Sequence, residues 1–242
     1  MFPMLKRIKN IVNENRANQK QLVYGQNQLY ATIKLQELLG VDHFIPFTGW
    51  SMSPITILHC LNIISLNKPE NIIEFGSGAT TVYIAKLIKI LGYEINFISV
   101  ESDLNWKDKI DRQLQALDLL EYVKTVYAPL SEISSHLTHK EQKTWYDVNL
   151  LRKVIKDFSF DFVIIDGPFG GSTPYARYSA VPFLKNNTSQ NTIWLLDDTR
   201  RPEEKEIARV WKSELALNIS HFNRYSILYS NQEFDYSPYS MS

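Results

Sequence analysis

The chain has a single cysteine, Cys60, among 242 residues, which excludes an internal disulfide and fits a reducing compartment. Neither sign of charge is in excess, with 26 basic against 26 acidic residues, so the broad positive field of a nucleic-acid binder is missing. No apolar run reaches the roughly 18 residues of a membrane-crossing helix, and the opening Met-Phe-Pro-Met-Leu-Lys-Arg-Ile-Lys lacks the apolar stretch of a signal peptide. A soluble, cytoplasmic protein is expected. No long polar linker interrupts the chain, and 44% hydrophobic residues suffice for one enzyme-sized core. Glycine is scarce, nine in all, so the pair in Gly76-Ser77-Gly78 stands out.

Ile72, Ile73 and Phe75 form a short apolar strand before that turn, and Val82, Ala85, Ile88 and Leu91 form the apolar face of a helix after it. Strand, tight glycine turn and helix N-terminus together make a nucleotide-type site, because free N–H groups and the positive helix end face the ligand. Glu74 would repel a pyrophosphate brought close to the turn, and Thr81 replaces the third glycine of the dinucleotide fingerprint. Both features favour S-adenosylmethionine, which carries an ammonium and a sulfonium and no phosphate. The next strand, 95–100, ends at Glu101, placed to accept hydrogen bonds from ribose hydroxyls. Gly78 is expected where ligand meets backbone, at a positive φ.

Strands and helices keep alternating after Glu101. Residues 103–120 have helical spacing, and 122–127, 160–165 and 192–196 read as strands, so a sheet with helices on both faces is expected. The later strands deliver Asp166-Gly167-Pro168 and Asp197-Asp198 at their carboxyl ends, where open α/β sheets bind ligands. Residues 217–222 and 225–229 are separated only by Asn223-Arg224, which forces an antiparallel pair.

The first 39 residues carry six Lys or Arg against two acids, and Leu5, Ile8, Ile11 and Val12 fall at helical spacing. Such a basic amphipathic helix can pack on the domain, form a homodimer contact or rest on an anionic membrane. The sequence divides into this helical extension (1–46), the main domain (47–230) and a polar, loosely ordered tail (231–242). His136 and His139 lack a motif-spaced partner and read as surface residues rather than a metal pair. Trp145-Tyr146 reads equally as core or as an aromatic wall for substrate.

Together, Trp50-Ser51-Met52-Ser53-Pro54, Glu74-Phe75-Gly76-Ser77-Gly78, Glu101, Ile165-Asp166-Gly167-Pro168 and Leu196-Asp197-Asp198-Thr199-Arg200 resemble the class I S-adenosylmethionine-dependent methyltransferases. Within that superfamily the resemblance is nearest to caffeoyl-CoA and catechol O-methyltransferases and to bacterial relatives associated with surface polysaccharides. It implies a doubly wound α/β fold, a seven-stranded, mostly parallel sheet with an antiparallel last strand. It also implies a cofactor site of Ser51, Met52, Ser53, Glu74, Gly76, Ser77, Gly78, Thr80, Thr81, Glu101, Ser102, Leu130 and Asp166. The segment after the third strand, Ala128-Pro129-Leu130-Ser131, offers the adenine only apolar contact and backbone. Metal-dependent members carry Asp, Asp and Asn where this chain has Asp166, Asp197 and Asp198, so the resemblance leaves open both a magnesium or manganese ion and a metal-free base.

Methyl transfer to oxygen is an in-line displacement that needs alignment and removal of a proton. Asp166 is the first candidate for the base, with Asp198 and Arg177 as further catalytic residues. Arg177, Arg200 and Arg201 offer partners for an anionic acceptor such as a sugar phosphate, nucleotide-sugar or uronate. The expected function is methylation of a small molecule. The alternatives are an NAD-dependent oxidoreductase, or a catalytically silent methyltransferase-fold partner protein in a biosynthetic cluster.

Overall fold

Continuous burial marks the central strands: in β1 (Asn71–Phe75) and β6 (Phe160–Ile165) nearly every side chain is inaccessible, as a parallel strand covered on both faces requires. The computed structural model describes residues 2–231 and 234–240. Its first helix, α1 (Phe2–Leu39), is followed by α2 (Pro54–Asn67), β1, α3 (Ala79–Leu91), β2 (Asn96–Glu101), α4 (Leu104–Ala116) and β3 (Lys124–Tyr127). Two short strands, β4 (Leu130–Glu132) and β5 (Thr144–Tyr146), pair antiparallel outside the main sheet. Then come α5 (Val148–Ile155), β6, α6 (Ala180–Leu184), β7 (Thr188–Leu196), α7 (Pro202–Leu215), β8 (Asn218–His221) and β9 (Ser226–Tyr229).

The main sheet has seven strands in the order β3-β2-β1-β6-β7-β9-β8. β1, β2, β3, β6 and β7 run parallel, while β9 lies antiparallel to β7 and to β8. The doubly wound fold and the antiparallel final strand agree with the expectation from sequence. Successive connections diverge on either side of β1, so the β1/β6 boundary is the topological switch point, where such sheets bind ligands. Phe75 faces Ile165 in register there, bringing the turn after β1 against the turn after β6.

One core layer, with Ile57, Ile64, Val82, Ile84 and Leu195, lies between the sheet and α2 and α3. The other, with Phe75, Val163, Trp145, Trp194 and Trp211, lies on the opposite face. Trp145 and Tyr146 are fully buried, and Trp145 packs 5.1 Å from Phe75 and 5.0 Å from Phe183. Trp145 is therefore core rather than a wall for substrate.

α1 divides into two parts. Ala31, Leu35 and Leu39 are buried against the body, and the Gln28 side chain accepts a hydrogen bond from the Ile55 N–H. Residues 6–22 are exposed all round, with Ile8 and Ile11 each 48% accessible. Packing on the domain thus accounts for the second half of the helix and not for the basic first half; Leu5 lies outside the described side chains. Of the tail expected to be loosely ordered, residues 232–233 and 241–242 lie outside the described residues, and the described part makes specific contacts. Tyr236 is buried among α2-side residues, and its carbonyl accepts from Asn62.

Candidate active site

The turn after β1 is built by contacts that only glycine permits. Gly76 has φ +97°, and a Cβ on it would lie 2.9 Å from the Gly167 nitrogen. On Gly167, a Cβ would collide with the Tyr146 hydroxyl. The backbone is tied on both sides, the Gly76 N–H donating to Val100 O (2.8 Å) and the Asp166 and Gly167 N–H groups to Phe75 O (2.9 and 2.7 Å). Gly78 corrects an expectation. Its φ is −176°, ordinary extended backbone, and a Cβ there would meet no protein atom within 4 Å. The positive φ belongs to Gly76, and the space beside Gly78 is open to a ligand.

Thr81 explains why a third glycine is unnecessary. Its hydroxyl accepts from the Gly78 N–H (2.9 Å) and donates to Glu74 Oε2 (2.6 Å), which Ser99 also reaches at 2.7 Å. Glu74 is wholly inaccessible, and its Oε1 is buried without a partner among the described residues. Burial pushes its carboxyl up to about 7, against the hydrogen bonds from Thr81 and Ser99.

Glu101, at the end of β2, is less enclosed than Glu74. Its Oε1 accepts from the Ser102 and Asp103 N–H groups (2.6 and 2.8 Å), and its Oε2 accepts only the Ser77 N–H at 3.2 Å. One lone pair of Oε2 is left for a hydroxyl. Burial raises its pKa, with those N–H groups opposing the rise. The Ser77 hydroxyl meets Ser99 at 2.8 Å, and its carbonyl accepts the indole N–H of half-exposed Trp106 at 2.8 Å. Trp106 thus flanks the turn, which nothing in its sequence spacing had signalled.

Other residues expected at the cofactor are committed elsewhere. Met52 is 2% exposed and belongs to the core, and Ser53 caps α2, its hydroxyl 2.6 Å from that of Thr56. Ser51 accepts from the Thr48 N–H at 3.1 Å. Thr80 is buried in the first turn of α3, while Leu130 is 36% exposed at the start of β4.

At the ends of β6 and β7, Asp166, Asp197 and Asp198 bring one oxygen each within 4.8 Å of one another. That spacing would suit an ion, yet arginines answer all three charges. Arg177, 3% exposed, donates to Asp166 Oδ1 (3.0 Å), Asp198 Oδ2 (3.2 Å) and the Asp197 carbonyl (3.0 Å). Arg224 reaches Asp198 Oδ1 at 2.7 Å and Asp197 Oδ2 at 3.4 Å, and Arg201 reaches Asp198 Oδ2 at 3.0 Å. Three guanidinium groups stand against these carboxylates and take three of the four lone pairs of Asp198, so a divalent cation would meet their positive charge and have to displace one of them. The set does not fit a metal.

This arrangement reassigns the arginines. Arg177 positions the carboxylates instead of greeting an anion, and Arg200 donates to Asn223 O while lying over the Tyr24 ring. Arg201 is half exposed at the cleft mouth beside Gly170, paired with Asp198 at 3.0 Å and with Glu204 at 3.7 Å. Asp198 has its pKa held down by Arg177, Arg201 and Arg224 against the effect of burial. Asp166 retains an oxygen, Oδ2, with no partner among the described residues, and its pKa is raised by burial against the pull of Arg177. His139 meets Glu206 at 3.1 Å and stacks on Tyr178, and it belongs to no cluster of three or more metal-ligating side chains among the described residues.

The chain has the class I methyltransferase fold. No protein-family model matches it, and no curated protein matches it in sequence. Solved structures match over most of its length. An O-methyltransferase from Bacillus cereus in complex with SAH superposes with TM-score 0.55 at 12% identity, covering 85% of this chain and 91% of that one. An SAH-bound methyltransferase from Podospora anserina gives 0.55 at 14% identity over 84% and 88%. The O-methyltransferase TomG from Streptomyces achromogenes, in complex with SAM, gives 0.53 at 9% identity over 78% and 93%.

Proposed function

We propose that the protein is an S-adenosylmethionine-dependent methyltransferase that acts on a small molecule, by O-methylation of a sugar or another polar, anionic metabolite. The observation that carries this reading is the geometry at the switch point: Glu101 Oε2 with a spare lone pair, beside a glycine turn whose Gly78 faces open space. The similarity in fold to structures solved with SAM or SAH supports it.

When bound, the cofactor supplies an electrophilic methyl group on a sulfonium. The chain's own part is to hold and to deprotonate. Glu101 would hold the ribose hydroxyls, and the glycine turn with the first turn of α3 would hold the methionine end. Asp166 Oδ2 would take the proton of the acceptor hydroxyl, the chain's own part in making that oxygen a nucleophile. Arg177 fixes the Asp166 carboxyl by holding Oδ1, and Arg201 attracts an anionic group at the mouth of the cleft. No step requires a metal. The test is calorimetric titration of the wild-type protein with S-adenosylmethionine and, separately, with NAD. Saturable binding of the first alone supports the reading, and binding of NAD alone overturns it.

A further inference from the structure

A second cavity, of about 380 Å³, lies between α2 and the β8/β9 edge of the sheet. It falls in the range of about 300–1,000 Å³ usual for small-molecule sites. Its apolar lining includes Ile63, Ile193, Ile227 and the Phe222 ring, and it shares no residue with the glycine turn or the carboxylate cluster. His59, 1% exposed, also lines it.

The hydrogen bonding of His59 is unfinished. Its Nδ1 lies 2.8 Å from the Tyr225 hydroxyl, which has no other hydrogen-bond partner among the described residues. The phenol hydrogen therefore points to Nδ1, and the proton of the neutral ring sits on Nε2. Burial pushes the imidazole down to about 4, with the charge of Asp235 opposing, so neutral is its state at pH 7. Nε2 is buried with no acceptor among the described residues, a deficit that native structures rarely leave unexplained. Asp235, exposed at the rim, is the only Asp, Glu, Lys or Arg among the described lining residues.

We propose that this cavity is a binding site for a small ring-bearing molecule with an uncharged hydrogen-bond acceptor at one end and a cationic group at the other. The acceptor completes His59 Nε2–H, the ring lies between the isoleucines and Phe222, and the cation meets Asp235. An anionic ligand is disfavoured by that carboxylate.

Tyramine has these three parts and serves as the probe, with phenethylamine (no hydroxyl), p-cresol (no amine) and 4-hydroxyphenylacetate (opposite charge) as comparisons. The readout is the imidazole ¹⁵N signal of His59 in the full chain. Tyramine is expected to shift Nε2 saturably, and each comparison compound to bind at least about tenfold more weakly, a difference of about 1.4 kcal/mol. Asp235→Asn, a surface change that leaves the core untouched, is expected to abolish the advantage of tyramine over p-cresol. Absence of a saturable His59 shift with all four compounds overturns the proposal. So does tyramine affinity, measured by calorimetry, that is the same in the wild type and in a folded His59→Leu variant.

Discussion

A single guanidinium nitrogen, Arg177 Nη2, lies 3.0 Å from Asp166 Oδ1 and 3.2 Å from Asp198 Oδ2, joining the ends of two neighbouring strands. Buried and almost inaccessible, it holds together carboxylates that would otherwise repel one another.

Removing it should be costly. Arg177→Leu leaves buried carboxylates uncompensated, and breaking one side of a buried pair typically costs about 3–5 kcal/mol. Urea unfolding should show a loss in that range, with Arg177→Lys, which keeps the charge but not the fork, losing less. A change below about 1 kcal/mol would mean that the three carboxylates do not depend on this arginine.

The neutralised cluster should ignore divalent ions. Titration with Mg²⁺ or Mn²⁺ is expected to produce no saturable heat. Once an acceptor is known, transfer should proceed unchanged in excess chelator, and loss of activity restored by Mn²⁺ would refute the metal-free reading. With the same assay, Asp166→Asn should lower kcat by about 10²–10⁴-fold, the contribution usual for a positioned base.

Glu101→Ala should weaken S-adenosylmethionine binding by roughly 1–3 kcal/mol, the loss expected when hydrogen bonds to a charged group disappear. Calorimetry on a folded variant provides the measurement. Unchanged affinity would place the ribose elsewhere.

The two glycines of the turn should behave differently. Gly76→Ala forces a side chain into a positive-φ position already in contact with the Gly167 backbone, and should lower stability by more than about 1 kcal/mol. Gly78→Val should leave thermal unfolding nearly unaltered while abolishing cofactor binding. If it binds normally, the open space beside Gly78 is not where the ligand lies.

Glu74 gives a pH test with a definite sign. Its folded pKa, about 7, exceeds the ordinary value of 4.5, so between those values the folded state binds more protons than the unfolded one. Stability must therefore fall as pH rises through that window. Relative to Glu74→Gln, the wild type should lose on the order of 3 kcal/mol between pH 4.5 and 7. A stability difference that is flat with pH would show that folding does not raise the Glu74 pKa.

The sequence made the central strands legible because each is a short apolar run closed by a turn; 160–165 is β6 itself, whereas β7 starts earlier, at Thr188. The glycine turn was readable for the same reason, being local in the chain. The carboxylate cluster was only half readable. Three acids at strand ends suggest an ion, but what neutralises them arrives from Arg177, before α6, and from Arg224, in the β8/β9 turn. Spacing in sequence carries no information about such distant partners. Met52, buried in the core, and Ser53, capping α2, illustrate that a motif position does not reveal whether a side chain faces a ligand, fills the core or caps the next helix. Likewise, periodicity gave α1 an apolar face without telling where along its length that face finds a body to cover it.

The approach of Gly76 to Gly167 ties two distant stretches of the chain into one inheritance. Neither residue can acquire a side chain while the other strand stays in place, and a larger residue at one cannot be offset at the other, which is already the smallest possible. Among descendants of this sequence that keep the fold, the two positions should therefore stay fixed together, whereas position 78 is free to drift in any lineage that no longer uses the ligand.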